Sequence, residues 1–183
     1  MSTTTTTSTT PCESFLQNLI GNWTGAGSVF FPTMPNTVYY SVDMSANRPM
    51  GGKTAAKFVQ SLLESKHAEK GVGMHFESGF WRCVNDDTVS WMLAHNSGNA
   101  EAIEGKVAKD GKSAILESTA VVGFPDTQKT KREFVFEGDE KKDMLMKYSF
   151  YMQTLSVEKM TPHLQMSLRR MEGDNTTTTH QKK

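Results

Sequence analysis

Met74-His75-Phe76-Glu77-Ser78-Gly79-Phe80-Trp81-Arg82-Cys83, then Asn85-Asp86-Asp87, then Thr88-Val89-Ser90-Trp91-Met92-Leu93-Ala94 is the stretch that decides the fold. In its first part Met74, Phe76, Ser78 and Phe80 alternate with His75, Glu77, Gly79 and Trp81. In its last part Val89, Trp91 and Leu93 share one face. A side-chain period of two is that of a strand, and the Asn-Asp-Asp cluster between the two runs supplies turn residues.

The same rhythm continues outward. Downstream, Asn96–Asn99 turns the chain, and Ala100–Ala108, Ala114–Val122, Lys131–Glu137, Met144–Met152 and Leu164–Met171 read as strands. Asp110-Gly111 is a two-residue hairpin signal and Gly138–Lys142 a looser one. Upstream, Asn22–Phe31 and Val38–Met44 are strands, with Pro32 and Pro35 forcing a turn between them. Only Phe15, Leu16, Leu19 and Ile20 follow helical spacing, and Gly21 is placed to end that short helix. Between Arg48 and Val72 periodicity does not decide: Ala55–Leu63 fits a strand or an amphipathic helix, and Lys66–Gly73 reads as an exposed loop. Many short strands at about ten-residue spacing indicate an all-β sandwich or barrel. One helix before the first strand favours a barrel covered at one end.

The 183 residues fit one domain. Twenty basic and twenty acidic side chains leave no net charge, so general binding to nucleic acid or to an anionic membrane is not expected. No apolar run approaches the ~20 residues that span a bilayer. Residues 1–12 and 172–183 are threonine-rich, offer almost nothing to bury, and are expected to be disordered tails around a folded unit, 13–171. Cys12 and Cys83 are too few for a disulfide framework or a cysteine-built zinc site. With no leader pattern, a reduced, intracellular and cytoplasmic setting is the expectation. Oligomeric state stays open, a homodimer included.

Gly51-Gly52-Lys53-Thr54 resembles a phosphate loop, but Asn47 stands where that motif needs a glycine. Of the five histidines, His67 and His180 lie in polar segments. His75, His95 and His163 sit in or beside strands, too far apart in sequence for a local metal motif. His163 follows Pro162, which fixes the local backbone. In a regular last strand Leu164, Met166 and Leu168 face the core and His163 faces outward, unless the proline breaks that phase. Met74, Met144, Met146, Met152, Met160 and Met166 belong to strands or their ends. They suit ordinary core filling, and equally the wall of a cavity around a flat ligand.

Four blocks together resemble the nitrobindin family, haem-binding β-barrels also found as the C-terminal domain of some THAP proteins. Gly21-Asn22-Trp23-Thr24-Gly25-Ala26-Gly27 with Phe31-Pro32-Thr33 is similar to the family's G-x-W-x-G-x-G and [YF]-P-T signature. Met74-His75-Phe76-Glu77-Ser78-Gly79-Phe80-Trp81-Arg82, Ser97-Gly98-Asn99-Ala100-Glu101 and Pro162-His163-Leu164 with Leu168-Arg169-Arg170 follow in the family's order. Three departures stand out. Val29 replaces the third glycine of the first strand, His95 replaces a glutamine, and the Leu155–Thr161 loop is one residue longer than usual.

The resemblance implies an antiparallel barrel of about ten strands, with the shape of fatty-acid-binding proteins and lipocalins. It implies haem b at the open end, with ferric iron on one histidine, His163. Thr33, Met74, His75 and Met152 map onto cofactor-contact positions. The activity implied is binding of nitric oxide and isomerisation of peroxynitrite to nitrate, with no catalytic residue beyond the iron. No zinc-finger pattern precedes the barrel, so a DNA-binding domain is not expected. The alternative is a non-catalytic carrier of an apolar ligand such as a fatty acid. An anionic lipid would want an inward arginine, for which Arg82 and Arg132 are the candidates.

Overall fold

The computed structural model describes residues 9–30, 36–49, 55–124, 126–138 and 143–172. Helix α1 (Pro11–Leu19) precedes ten strands: β1 (Gly21–Val29), β2 (Val38–Asn47), β3 (Phe58–His67), β4 (Gly73–Cys83), β5 (Thr88–His95), β6 (Ala100–Val107), β7 (Ser113–Val122), β8 (Thr127–Glu137), β9 (Leu145–Thr154) and β10 (Thr161–Arg170). All neighbours pair antiparallel, and β1 pairs with both β2 and β10, which closes the barrel and leaves no edge. The all-β, ten-strand expectation holds.

The ambiguous middle resolves as one 3-10 turn, Ala55–Lys57, followed by β3, which runs on to His67. The expected exposed loop is therefore confined to 68–72. Asp110-Gly111 does close the β6–β7 connection, but within a loop of 108–112 rather than as a two-residue turn. The glycine-rich segment at 51–54 and Thr33 lie outside the described residues, as does most of both tails.

Helix α1 starts at Pro11, two residues before the expected beginning of the folded unit, because Thr10 makes a reciprocal cap. Its Oγ1 accepts from the Glu13 N–H (3.3 Å), while Glu13 Oε2 accepts from the Thr10 N–H (3.1 Å). The helix lays Cys12, Phe15, Leu16 and Leu19 on one end of the barrel, all fully buried. Phe15 meets Trp81 and Phe136 at 6.1 and 5.5 Å between ring centroids. Asn18 donates to the Gly111 carbonyl at 3.1 Å.

This docking also corrects the reading of the cysteines. Cys12 on the helix and Cys83 at the end of β4 form a disulfide, with Cα atoms 5.8 Å apart across 71 residues of sequence. Helix packing makes neighbours of two residues that are remote in the chain, and cysteine usage then no longer argues for a reducing compartment. Among the described residues, no helix is long and apolar enough to cross a membrane.

Trp23, Trp81, Trp91, Phe134 and Phe136 fill the helix-capped half of the barrel. Trp81 stacks on Trp91 at 4.1 Å. In the wall of the barrel, β1 and β10 approach closely at Gly25. A Cβ on Gly25 would lie 2.9 Å from the Leu168 Cα and closer still to the Ser167 carbonyl oxygen. The other half of the barrel is not filled.

Candidate functional site

The unfilled half holds a cavity of about 230 Å3 that opens at the end opposite α1. Its walls are largely apolar, with Met74, Phe124, Phe150, Met152, Leu164 and Met166 contributing. Strand alternation explains most of this lining, and two irregularities explain the rest. The β3–β4 register jumps from Ser65↔His75 to Lys66↔Gly73, so Met74 is an extra residue and both it and His75 face the cavity. The β9–β10 register jumps from Pro162↔Tyr151 to Leu164↔Phe150, so His163 is the extra residue of β10.

The second bulge settles the parity of His163. Leu164, Met166 and Leu168 keep the inward phase, yet His163 also lines the cavity. Pro162 lacks the N–H that a regular ladder would use there, and Phe30 donates its N–H to the His163 carbonyl at 2.7 Å, holding the bulge against β1. The ring stands edge-on to Phe150 at 5.6 Å. Burial pushes the imidazole pKa below its ordinary value, against the opposing effect of a hydrogen bond to the Phe30 backbone. At neutral pH the ring is therefore uncharged, the form that ligates metals.

Four of the five residues singled out from sequence, Met74, His75, Met152 and His163, thus line one cavity. The fifth, Thr33, is outside the described residues. The donor set suits haem. One neutral histidine projects among thioether and aromatic side chains, its ring tied to the backbone as proximal ligands commonly are.

Beneath the apolar walls lies a polar floor that the sequence reading did not assemble. Arg132, 1% exposed, donates from Nη2 to Glu101 Oε1 (2.6 Å) and from Nη1 to Glu77 Oε1 (3.1 Å), and also contacts the Tyr148 hydroxyl. Glu101 further accepts from Thr130 Oγ1 at 2.5 Å and lies 3.0 Å from His95 Nε2. His75 Nε2 lies 3.0 Å from Glu77 Oε1 and 3.2 Å from His95 Nδ1. Burial alone would raise both carboxyl pKa values. For Glu77 the Arg132 charge, aided by His75 and His95, outweighs burial and holds the group far below the usual carboxylate range. For Glu101, Arg132 with the His95 and Thr130 hydrogen bonds brings it down to about 2. Both are ionised at neutral pH.

Arg132 is accordingly the inward arginine, while Arg82 is exposed. A signal for the floor existed. Glu77 shares the phase of Gly79 and Trp81, Glu101 that of Ile103, and Arg132 that of Phe134 and Phe136. Three charges on core-facing phases are unusual enough to mark a paired interior cluster.

Comparison with known proteins agrees with this picture. The model of the THAP4-like, heme-binding beta-barrel domain matches residues 14–170. A protein of Arabidopsis thaliana named as a peroxynitrite isomerase is 28% identical over 153 residues, covering 84% of this chain and 85% of its own. One from Nocardia farcinica, with the same activity in its name, is 29% identical over 160 residues, covering 85% and 88%. The crystal structure of Rv2717c from M. tuberculosis superposes with a TM-score of 0.72 at 23% identity, covering 90% of this chain and 99% of that one; at that identity the likeness speaks for the fold.

Proposed function

Because the chain belongs to the THAP4-like, heme-binding β-barrel domain family, we propose that its cavity takes haem b with the iron on His163. The loaded protein would bind nitric oxide and isomerise peroxynitrite to nitrate, as the names of its relatives suggest. The observation that carries this reading is the bulge at Pro162–Leu164. Without it, alternation would turn His163 out of the barrel; with it, a neutral imidazole faces an apolar cavity beside Met74, His75 and Met152.

Haem supplies an iron centre with one position left for a small ligand when a single histidine holds it. The chain's own residues do the rest. His163 provides the proximal nitrogen, and its backbone bond with Phe30 fixes the ring's approach. Met74, Met152 and Phe150 exclude water from the ligand side chain by chain, and Thr33 completes the set of proposed contacts. Isomerisation of peroxynitrite to nitrate rearranges the same atoms with no net gain or loss of a proton. Neither the peroxynitrite anion nor nitrate carries a proton to be moved, so no acid–base pair is assigned, and both of the cavity's buried carboxylates are bound to Arg132.

The same pairing disfavours the lipid-carrier alternative. The inward arginine that an anionic headgroup would need is already neutralised by Glu77 and Glu101. Stopped-flow mixing of the haem-loaded protein with peroxynitrite tests the activity. Faster decay with the product shifted toward nitrate is expected. Decay no faster than with haem-free protein, with an unchanged nitrate-to-nitrite ratio, refutes it.

A further inference from the structure

We propose that His75, Glu77 and His95 form a second, non-haem site in the same cavity, binding one divalent first-row transition-metal ion. The three side chains come from β4 and β5, which pair with Glu77 opposite His95. His75 and Glu77, two residues apart on one strand, share the inward face. Their ligand atoms make a compact triangle: His75 Nε2 to Glu77 Oε1 is 3.0 Å, His75 Nε2 to His95 Nδ1 is 3.2 Å, and His95 Nδ1 to Glu77 Oε1 is 3.5 Å. Ligands held at about 2.1 Å from an ion stand about 3.0 Å apart at octahedral angles and about 3.4 Å apart at tetrahedral ones. The triangle already has the dimensions of one face of a coordination sphere.

Three further features point to an ion rather than to a hydrogen-bond network alone. First, His95 is oriented as metal-bound histidines are. Its Nε2 faces Glu101 at 3.0 Å, and Glu101 is an ionised acceptor held by Arg132 and Thr130. The Nε2 therefore carries the proton, and the Nδ1 lone pair is turned to His75 and Glu77. Second, His75 Nε2 lies within hydrogen-bond distance of both Glu77 Oε1 and His95 Nδ1, while Glu77 Oε2 is buried with no hydrogen-bond partner. A cation bound by this carboxylate supplies the partner that its second oxygen lacks. Third, the two carboxylates Glu77 and Glu101 face the single guanidinium of Arg132, so the buried cluster holds one more carboxylate than it has arginine to pair with, a counter-charge for a dication.

Two imidazoles and one carboxylate select zinc, iron(II) or cobalt(II) over calcium or magnesium, and a triad on one face leaves positions open toward the cavity. His75 is shared with the proposed haem contacts but His163 is not among the ligands, so cobalt binding to haem-free protein and its insensitivity to His163→Ala separate this site from the haem proposal.

The test titrates cobalt(II) into the full-length, haem-free protein and follows its visible d–d bands. One equivalent binding with a ligand field of mixed nitrogen and oxygen donors, displaced by zinc(II), is expected. His95→Gln and Glu77→Gln should each weaken binding tenfold or more, and Glu101→Gln, which acts through His95, by about 10–100-fold. His75→Ala guards against misfolding, since its side chain is 32% exposed; it should keep the circular dichroism of the parent and lose the cobalt spectrum. No bands in folded parent protein with excess metal overturns the proposal. Bands that persist in His75→Ala, or that disappear only in His163→Ala, overturn it as well.

Discussion

Replacing Arg132 by methionine removes the one cation that two buried carboxylates share. Glu101 Oε1 is 2.6 Å and Glu77 Oε1 3.1 Å from its guanidinium, and all three residues are buried. At a charge separation of about 4 Å and an effective dielectric near 20, each pair is worth about 4 kcal/mol gross. Desolvation of three ions cancels much of that sum while the cluster is intact. Truncating only the arginine does not return the carboxylates to water, so the loss at pH 7 is about 3–5 kcal/mol. With a urea slope near 2 kcal/mol per molar, the unfolding midpoint falls by about 2 M. The three tryptophans report the transition.

The pH dependence carries the sharper test. In the parent protein the folded-state pKa values of Glu77 and Glu101 lie below the ordinary 4.5, Glu101 at about 2. Their contribution is present above pH ~4.5 and is lost as the pH falls through the folded values. In Arg132→Met, burial, the largest cause, is opposed only by the contacts of His75 and His95 with Glu77 and of His95 and Thr130 with Glu101, and is expected to raise both above the ordinary value. That penalty is greatest at neutral pH and shrinks on acidification toward pH ~4.5. The gap between the two proteins should therefore narrow from pH 7 to pH 5. A loss under about 1 kcal/mol, or one of constant size across that range, would refute the buried, ionised cluster.

Other perturbations read other parts of the structure. Gly25→Ala forces a methyl against the Ser167–Leu168 backbone, which cannot yield without opening the β1–β10 seam; a loss of about 1–3 kcal/mol in urea unfolding is expected, and parental stability contradicts the close approach. Reducing Cys12–Cys83 opens a loop spanning 71 residues and should cost about 2–4 kcal/mol, read as a melting temperature that falls on adding reductant, with a Cys12→Ser/Cys83→Ser protein insensitive to it. Thr10→Ala removes the reciprocal cap of α1 and should cost about 1 kcal/mol; an unchanged melting temperature would mean that the cap adds nothing to the docked helix.

Most strand positions and the N-terminal helix were legible in the sequence because alternation, helical spacing and turn residues are local signals, whereas the order of the strands around the closed barrel was not. The β3 segment was not, since Phe58–His67 offers apolar residues at spacings that fit either periodicity, and only pairing with β2 and β4 fixes it. His163 shows the limit of alternation most clearly. A strict reading turns it outward, and a bulge, which depends on Pro162 and on the neighbouring Phe30, turns it in. The cysteine pair was missed because its proximity arises from helix docking, which spacing does not encode. Glu77, Glu101 and Arg132 could have been found: each shares its phase with buried aromatic or aliphatic residues, and they carry opposite charges that can pair inside.

A hemin titration followed by the Soret band reads out the proposed attachment of haem through His163. The parent protein should saturate at one equivalent, with the spectrum of histidine-ligated ferric haem. His163→Ala, folded by circular dichroism, should lose that spectrum and bind far more weakly. A His163→Ala protein that takes up hemin with the parental affinity and an identical Soret band would contradict the claim.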